Sequence, residues 1–590
     1  MKFSPIPLSA LEPDSFLTSY TNGSNSLKPF YDFFPLLDNT LQDLSNKKVT
    51  SLKSLAAKSR ATIVEALKEF HQSLDIEGSQ IAIRKKLLQE DCYCVVTGQQ
   101  LSWYGGPLYT FFKLMSAIQW SKRLSETTGK TVIPVFWLAD EDHDYKEINQ
   151  INWYQNVNKA SYEDQISILQ QFRVDVEKDP IHHQLGMPVS KIKGDSSLIK
   201  NDFLDWLKHY HNIEKETQLE EQQKGSNATE QTTQFRKNTW IQSFLQDAKK
   251  AYSDDKNHAQ NFAKWIIHVF EDHEFLVAGS NHDCIKRLLS PIISKAVTND
   301  HKITKLLKDQ TSKLIEQTGQ SQVTVMDSQW FVFNDESKRV KLQYDASGEI
   351  SFVQKGGRHK LSSKRLLVQT QEQPERFSPN VFLRPILQDH LLPVIAYVGG
   401  PSEIAYHGQM KKVYEFFGLD MPLLIPRFTA TIREKKVQRL MSKFPFSLVH
   451  YQQDFPALKK EWLNTLPKQL PEAKLDELER HFLENFESQV LDILSFDQSL
   501  KGSVGKAQND IGKVFQSLIK KAKKVHDAKF SHELGQLRFL QSYLFPKGPM
   551  ERVLHPCYFM LHYGNSFWQD VLNELLAQNT ECSQHYLIDL

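Results

Sequence analysis

Cysteine is scarce in this chain of 590 residues, with five in all: Cys92, Cys94, Cys284, Cys557 and Cys582. An odd, scattered set in so long a chain argues against a disulfide framework. Cys92 and Cys94 have no second Cys/His pair at zinc-finger spacing, so no zinc site is read. Net charge is nearly absent as well, because 72 Lys+Arg against 70 Asp+Glu leave +2. That balance supplies no long-range pull on a nucleic-acid backbone or an anionic membrane, and neither is expected as a partner. Long apolar runs are missing too. The best of them, 132–139 and 391–398, reach about half the ~18 residues a membrane span requires. The opening MKFSPIPLSALEPDSF places prolines and acidic residues where a secretory signal would have an apolar centre. The expected compartment is the reducing cytoplasm.

What the chain does have is core-forming material: 40% hydrophobic residues, including 36 Phe, 19 Tyr and 10 Trp. The length predicts two to four structural units. Residues 1–90 read mostly as helical or irregular. A short β-branched run at 92–96 then stops at Thr97-Gly98, as a buried strand does. The loop from Gln99 to Pro107 carries Gly105-Gly106, and from Leu108 the apolar residues Phe111, Phe112, Met115 and Ile118 recur at helical spacing. Pro107 suits the helix start, where its missing N–H has no partner to lose. A second strand is predicted at 132–138, ending in the acidic cluster Asp140-Glu141-Asp142-His143-Asp144. Strand, glycine loop, helix, strand is the alternation of a parallel, doubly wound sheet.

The pattern returns far downstream. A strand-like run at 391–398 leads into Gly399-Gly400-Pro401, then a helix with Ile404, Met410, Val413, Phe416 and Phe417 that stops at Gly418, then a short strand at 421–425. Two such units predict one Rossmann-like core built from distant parts of the chain. Residues 220–234 lack apolar side chains and read as a mobile loop, and 323–353 alternates like a small antiparallel sheet. Further on, Val504, Ile511, Leu518 and Val525 lie seven apart, with Ala507, Val514 and Ala528 on a second row that Lys521 interrupts. With Leu475, Leu478, Phe482 and Phe486 on the preceding helix, and Gly502 and Gly505 in the connection, this predicts an antiparallel coiled-coil arm. The expected organisation is α/β: 1–150 with the first half of the core, 151–380 as insertions with core elements, 381–440 as the second half, 441–545 as the arm, and 546–590 returning to the core.

Several groups of residues could carry chemistry. Gly105 and Gly106 remove side chains where a ligand could meet the backbone, with Gln99 and Gln100 in the same loop. A tight turn with no ligand is the plain alternative. The acidic run follows a strand end, where open α/β sheets bind ligands. Its His143, between Asp142 and Asp144, is either an oriented base, part of a hydrated-metal group, or a residue of a solvated loop. Arg384 is placed either to grip a carboxylate or phosphate or to form a structural ion pair. Glu403 and His407, four apart on a helix, are either a proton-transfer pair or a surface pair. Gly502-Ser-Val-Gly-Lys506 lacks phosphate-loop spacing. Ser362 in the run Lys360–Arg365 reads as a helix cap, and the basic run 520–524 as a solvated face.

Four segments together resemble a known family: VVTGQQLSWYGGPLYTFFKLMSAI (95–118), PVFWLADEDHDYKEIN (134–149), RFSPNVFLRPILQDHLLPVIAYVGGPSEIAYHGQMK (376–411) and MPLLIPR (421–427). With KGPMERV (547–553), they are similar to the cysteine ligase family of bacillithiol biosynthesis, in order along nearly the whole chain. Asp140 stands where that family usually has a small residue, His407 where an aromatic is common, and Met550 where Gln is expected. The resemblance implies a Rossmann-like core with two connecting-peptide insertions and a coiled-coil arm that forms a homodimer. It implies a carbon–nitrogen ligase that joins L-cysteine to glucosaminyl-malate, with ATP as the source of activation and Mg²⁺ as an accompanying ion. Nucleotidyl transfer to another small acid, or a non-catalytic nucleotide-binding scaffold, are the alternatives. On this reading Asp142, His143, Asp144 and Arg384 are the catalytic candidates. Gln99, Gln100, Gly105, Gly106, Gln388, Tyr397, Gly399, Gly400, Glu403, Tyr406, His407 and Gln409 would bind substrate or nucleotide, with Lys547 and Arg552 candidates for a second nucleotide pocket.

Overall fold

The computed structural model describes residues 1–35, 44, 57–142, 144, 148, 150–154, 169–173, 187–191, 228–253, 255–344, 349–355, 357–466, 472–578 and 580–590. They divide into two compact units: one of 1–153, 171–432 and 551–588, the other of 154–170, 433–550 and 589–590.

The first unit is built on the runs whose side chains have no polar face to offer water. β1 (Cys92–Gln99), β2 (Thr131–Leu138), β3 (Leu276–Ala278), β4 (Val394–Gly399) and β5 (Leu423–Pro426) are buried almost throughout. They pair in the order β5-β4-β1-β2-β3, all parallel. Strands buried on both faces read as continuous apolar runs, which is why periodicity found them. Pro134 is tolerated inside β2 because pairing with β3 begins only at Val135. β1, β2 and β3 succeed one another in one direction across the sheet, whereas β4 and β5 run out the other way. The topological switch therefore lies between β1 and β4, and that is where a crevice is expected beyond the strand ends.

Helix α1 (Leu108–Thr128) follows β1 and buries the predicted stripe. The segment read as a loop at 220–234 is only partly within the described residues, and from Ala228 it is already helix α2 (Ala228–Ala251). Glu and Gln are good helix formers without being apolar, and Ile241, Phe244, Leu245 and Ala248 bury the second half. α3 (Asp283–Thr298) follows β3, and α4 (Leu383–Leu391) precedes β4, taking Leu391 from the expected strand. The helix expected after Gly400 is split into α5 (Pro401–His407) and a second turn at Lys411–Phe417, closed by Gly418 in the left-handed region. The alternating stretch forms antiparallel pairings, Trp330–Phe333 with Arg339–Lys341 and with Phe377–Pro379, and Ile350–Gln354 with Gly357–Leu361. Ser362 caps the helix Ser363–Glu372 through Arg365 N–H, as expected. A strand at Lys2–Pro7 appears in the region read as helical or irregular.

In the second unit α6 (Glu472–Phe496) and α7 (Lys501–Lys529) form the arm, antiparallel, with Gln508 donating to Glu487 and Gln516 to Glu479. Gly502 and Gly505 lie inside α7, not in the connection. The packed seam also differs from the seven-residue rows. Ile519 is buried and Val504, Ile511 and Phe515 are half-buried, while Val514, Leu518 and Val525 are 68%, 47% and 72% exposed. A straight helix drifts ~20° per heptad relative to a strict seven-residue repeat. Over this length the rows read from sequence rotate off the contact line.

Candidate active site

The crevice beyond the carboxyl ends of the strands has a volume of about 750 Å³. Its wall collects residues from across the chain: Gln99 and Gln100 after β1, Asp140 to Asp142 after β2, Arg384 on α4, and Gly400, Glu403 and Tyr406 from the second glycine loop and α5. Phe331, Arg339 and Pro379 come from the antiparallel pairings, Val381 from the turn before α4, and Arg427 and Arg552 complete the rim. Residues following β1, β2 and β4 thus meet Arg384 at one crevice in the first unit, whereas Gly106, expected beside them, does not line it and His143 lies outside the described residues.

One end of the crevice is basic. Arg384 is half-buried and donates from Nη1 to Gln388 Oε1 at 3.1 Å and from Nη2 to the Tyr397 hydroxyl at 3.3 Å. Tyr406 also faces its guanidinium. These partners are neutral, and among the described residues no carboxylate forms an ion pair with Arg384. Arg427, on the rim after β5, is 3% exposed and donates to Glu551 at 2.6 Å. Lys113, on α1, donates to Gly98 O and Gln99 Oε1, both at 2.9 Å, and lies 2.5 Å from Glu403 Oε2. Burial pushes its ammonium down while Glu403 works against that. For Glu403 the balance reverses. Burial alone would raise it, yet Lys113, the Gly400 N–H at 2.8 Å and the Tyr397 hydroxyl at 2.6 Å hold it at about 2.

The other end is acidic. Asp140 accepts from Asn281 N–H at 3.1 Å and Ser280 N–H at 3.3 Å, and burial, aided by neighbouring Glu141, raises it to about 7. A side chain on Gly279 would come within 2.4 Å of Asp140 Oδ2, so the larger residue at 140 is accommodated by a bare backbone opposite. Glu141 accepts from the Ser280 hydroxyl and pairs with Lys286 at 2.8 Å; burial opposes ionisation there, but Lys286 overrides it and the carboxyl stays low. Asp142, on the more open wall, accepts from Gln100 Nε2 at 2.8 Å and lies 4.0 Å from Arg339 Nη1.

The remaining sequence candidates fall into three groups. Gln388, Tyr397 and Gly399 stand behind the wall and hold those that line it. Gly105, Gly106, His407, Gln409 and Asp144 are not among the lining residues. Gly105 and Gly106, with φ of 92° and 69°, make the tight turn: a Cβ would come within 2.3 Å of the Phe111 ring and 2.7 Å of Ser102 Cβ. The same loop is pinned by Tyr252 on the Tyr104 N–H and by His555 on Trp103 O. His407 is fully buried and bonds the Glu403 carbonyl, not its carboxylate, so the two do not form the expected proton-transfer or surface pair. Gln409 bonds Thr311 and the Val323 backbone instead. His143 lies outside the described residues, and Lys547 belongs to the second unit. Residues missed from sequence are Lys113, Arg427, Arg339 and Glu551. A lone lysine within the apolar run of α1, and an arginine directly after a strand, were legible signals for the first two.

Comparison with known proteins agrees with this architecture. Residues 1–192 and 192–428 match the family described as "Bacillithiol biosynthesis BshC, N-terminal Rossmann-like domain", and 430–590 match its "C-terminal coiled-coil domain". A Bacillus cytotoxicus protein named "Putative cysteine ligase BshC" is 26% identical over 583 residues, covering 97% of each chain. A Bacillus cereus protein of the same name is 26% identical over 586 residues, covering 97% of this chain and 98% of its own.

Proposed function

The chain belongs to the BshC family of bacillithiol biosynthesis, and on that premise we propose that it joins the carboxyl carbon of L-cysteine to the amine of glucosaminyl-malate. The observation that carries this reading is the polarity of the crevice, with Arg384 and Arg427 over the β4–β5 side and Asp140, Glu141 and Asp142 over the β2 side. Amide formation needs both ends. Anionic carboxylates or phosphates must be held at one, and an ammonium must be held and deprotonated at the other. Arg384 binds the malyl carboxylates or a phosphate, and Asp142 orients the sugar ammonium and takes its proton. The apolar wall of Phe331 and Val381 limits water at the reacting carbon.

A free carboxylate does not acylate an amine at a useful rate, so the reading includes ATP as co-substrate. The cysteine carboxylate attacks the α-phosphorus and pyrophosphate leaves. The sugar amine then attacks the acyl carbon, AMP leaves, and one proton is released. Mg²⁺ accompanies the phosphates; among the described residues no three His, Cys, Asp or Glu side chains converge to hold a metal. No described helix is long and apolar enough to cross a membrane, and the setting proposed is the cytoplasm, where the co-substrates are.

Homodimerisation through the arm is part of this reading. Leu478 and Phe482 on α6, and Val514, Leu518 and Val525 on α7, are large apolar side chains about half exposed or more, and together they supply the arm's exposed apolar face. A second copy covers that face. Light scattering is expected to find a dimer that Val514→Glu with Leu518→Glu converts to monomer; an unchanged mass sinks the assignment.

The activity test is mass spectrometry on purified protein given cysteine, glucosaminyl-malate and ATP. The amide is expected only with all three, together with AMP and pyrophosphate, and Arg384→Ala is expected to lose it at an unchanged melting temperature. Product without ATP overturns the activation step. Pyrophosphate release without cysteine points to nucleotidyl transfer instead, and neither product nor release leaves a scaffold.

A further inference from the structure

Along and behind the crevice wall the hydrogen bonds run unbroken from one glycine loop to the other. Lys113 Nζ lies 2.5 Å from Glu403 Oε2, and the Tyr397 hydroxyl donates to Glu403 Oε1 at 2.6 Å. Arg384 Nη2 donates to that same hydroxyl at 3.3 Å, and its Nη1 donates to Gln388 at 3.1 Å. Gln388 in turn donates to Asp389, which also accepts from Tyr414, both at 3.1 Å. We propose that Glu403 and Tyr397 are positioning residues that hold Arg384 in its anion-binding geometry, with Lys113 as their fixed counter-charge. This rests on the reading of Arg384 as the anion-binding group.

Three facts separate this role from direct ligand binding. The Glu403 carboxylate already has three donors, Lys113, Gly400 N–H and Tyr397, so a ligand donor would have to displace one of them. The Gly400 N–H is in turn engaged with Glu403 and is not free for a phosphate. An arginine has large rotamer freedom, and a carboxylate or phosphate is gripped well only if the guanidinium plane is already oriented. Fixing that plane through Tyr397 and Gln388 during folding removes the ordering cost from binding.

Calorimetric titration with L-malate and with ATP, on the full-length protein, tests the chain. Tyr397→Phe keeps the ring beside Arg384 and removes both hydrogen bonds. It is expected to weaken anion binding about tenfold and to raise the KM of the anionic substrate more than it lowers kcat. Should that variant fold poorly, Glu403→Gln keeps the shape and is expected to weaken binding in the same direction. Leu307→Ala, a truncation at a fully buried position of the same unit, controls for lost stability and is expected to bind both anions as the natural protein does. Binding kept by Tyr397→Phe but lost by Arg384→Ala overturns the positioning chain alone, as does an equal loss in Leu307→Ala. Binding unchanged in Arg384→Ala overturns the site assignment and the chain with it.

Discussion

Removing the carboxylate of Glu551 isolates what the segment at 551–553 does for the crevice. In the structure Glu551 Oε1 accepts from Arg427 Nη2 at 2.6 Å and Oε2 from Ala430 N–H at 3.2 Å. The two side chains are 3% and 8% exposed. Glu551→Ala leaves a buried guanidinium without its counter-charge, which costs about 3–5 kcal/mol. The stranded Ala430 N–H contributes at most about 1–3 kcal/mol more, not additively. Unfolding entropy grows with chain length, so in a unit of this size 1 kcal/mol moves the melting temperature by roughly 1 °C. A fall of several degrees is therefore expected by circular dichroism, and about half as much for Glu551→Gln, which still offers an acceptor. Pairing Glu551→Leu with Arg427→Met removes both charges and is expected to recover much of the loss, because the penalty lies in the unpaired ion rather than in the missing contact. A melting temperature within 1 °C of the natural protein in Glu551→Ala, or strictly additive losses in the double variant, refutes the reasoning.

Acid is expected to destabilise the first unit well before its carboxylates are lost. His71, His258, His407, His555 and His585 are each pushed down to about 4 by burial. The unfolded chain binds protons near 6.5 that the folded one refuses, so stability is full above that pH and falls towards 4, by at most about 3 kcal/mol per histidine. Glu403, held at about 2, adds a further loss below 4.5, whereas Asp140, raised to about 7, acts in the opposite direction between 7 and 3.8. The melting temperature should fall steadily from pH 7 to 4, and a flat profile contradicts the burial of neutral imidazoles. Gly105→Ala is expected to unfold or lose many degrees, since its Cβ meets Phe111 at 2.3 Å on a backbone of positive φ. Gly400→Ala, whose nearest atom is 3.6 Å away, should melt near the natural protein. Equal melting of the two glycine variants would contradict their different placement.

The parallel core was legible because β1, β2, β4 and β5 are buried on both faces and leave uninterrupted apolar runs between turn residues. Part of the crevice was legible for the same reason: its loops are fixed at strand ends, so Gln99, Asp142 and Gly400 could be named from position, whereas Arg384 reaches it from helix α4. The exceptions follow from interactions that run across the chain. Gly105 and Gly106 carry the signature of a ligand loop, but their turn is set by Phe111, Tyr252 and His555, which sequence spacing does not bring near. Glu403 and His407 share a helical spacing, yet Lys113 and Tyr397, from other elements, claim the carboxylate. Arg339 comes from an antiparallel pairing whose reach into the crevice no local pattern announces. The arm was legible as two helices, while its packed seam was not, because helical drift over three heptads exceeds what a row of equal spacings can report.

The most direct test of the account is a crystal structure with glucosaminyl-malate bound. The account predicts the malyl carboxylates within hydrogen-bond distance of Arg384 and the sugar amine facing Asp142 across the same crevice. Glucosaminyl-malate lodged elsewhere on the molecule, with Arg384 still bonded only to Gln388, Tyr397 and Tyr406, would contradict it.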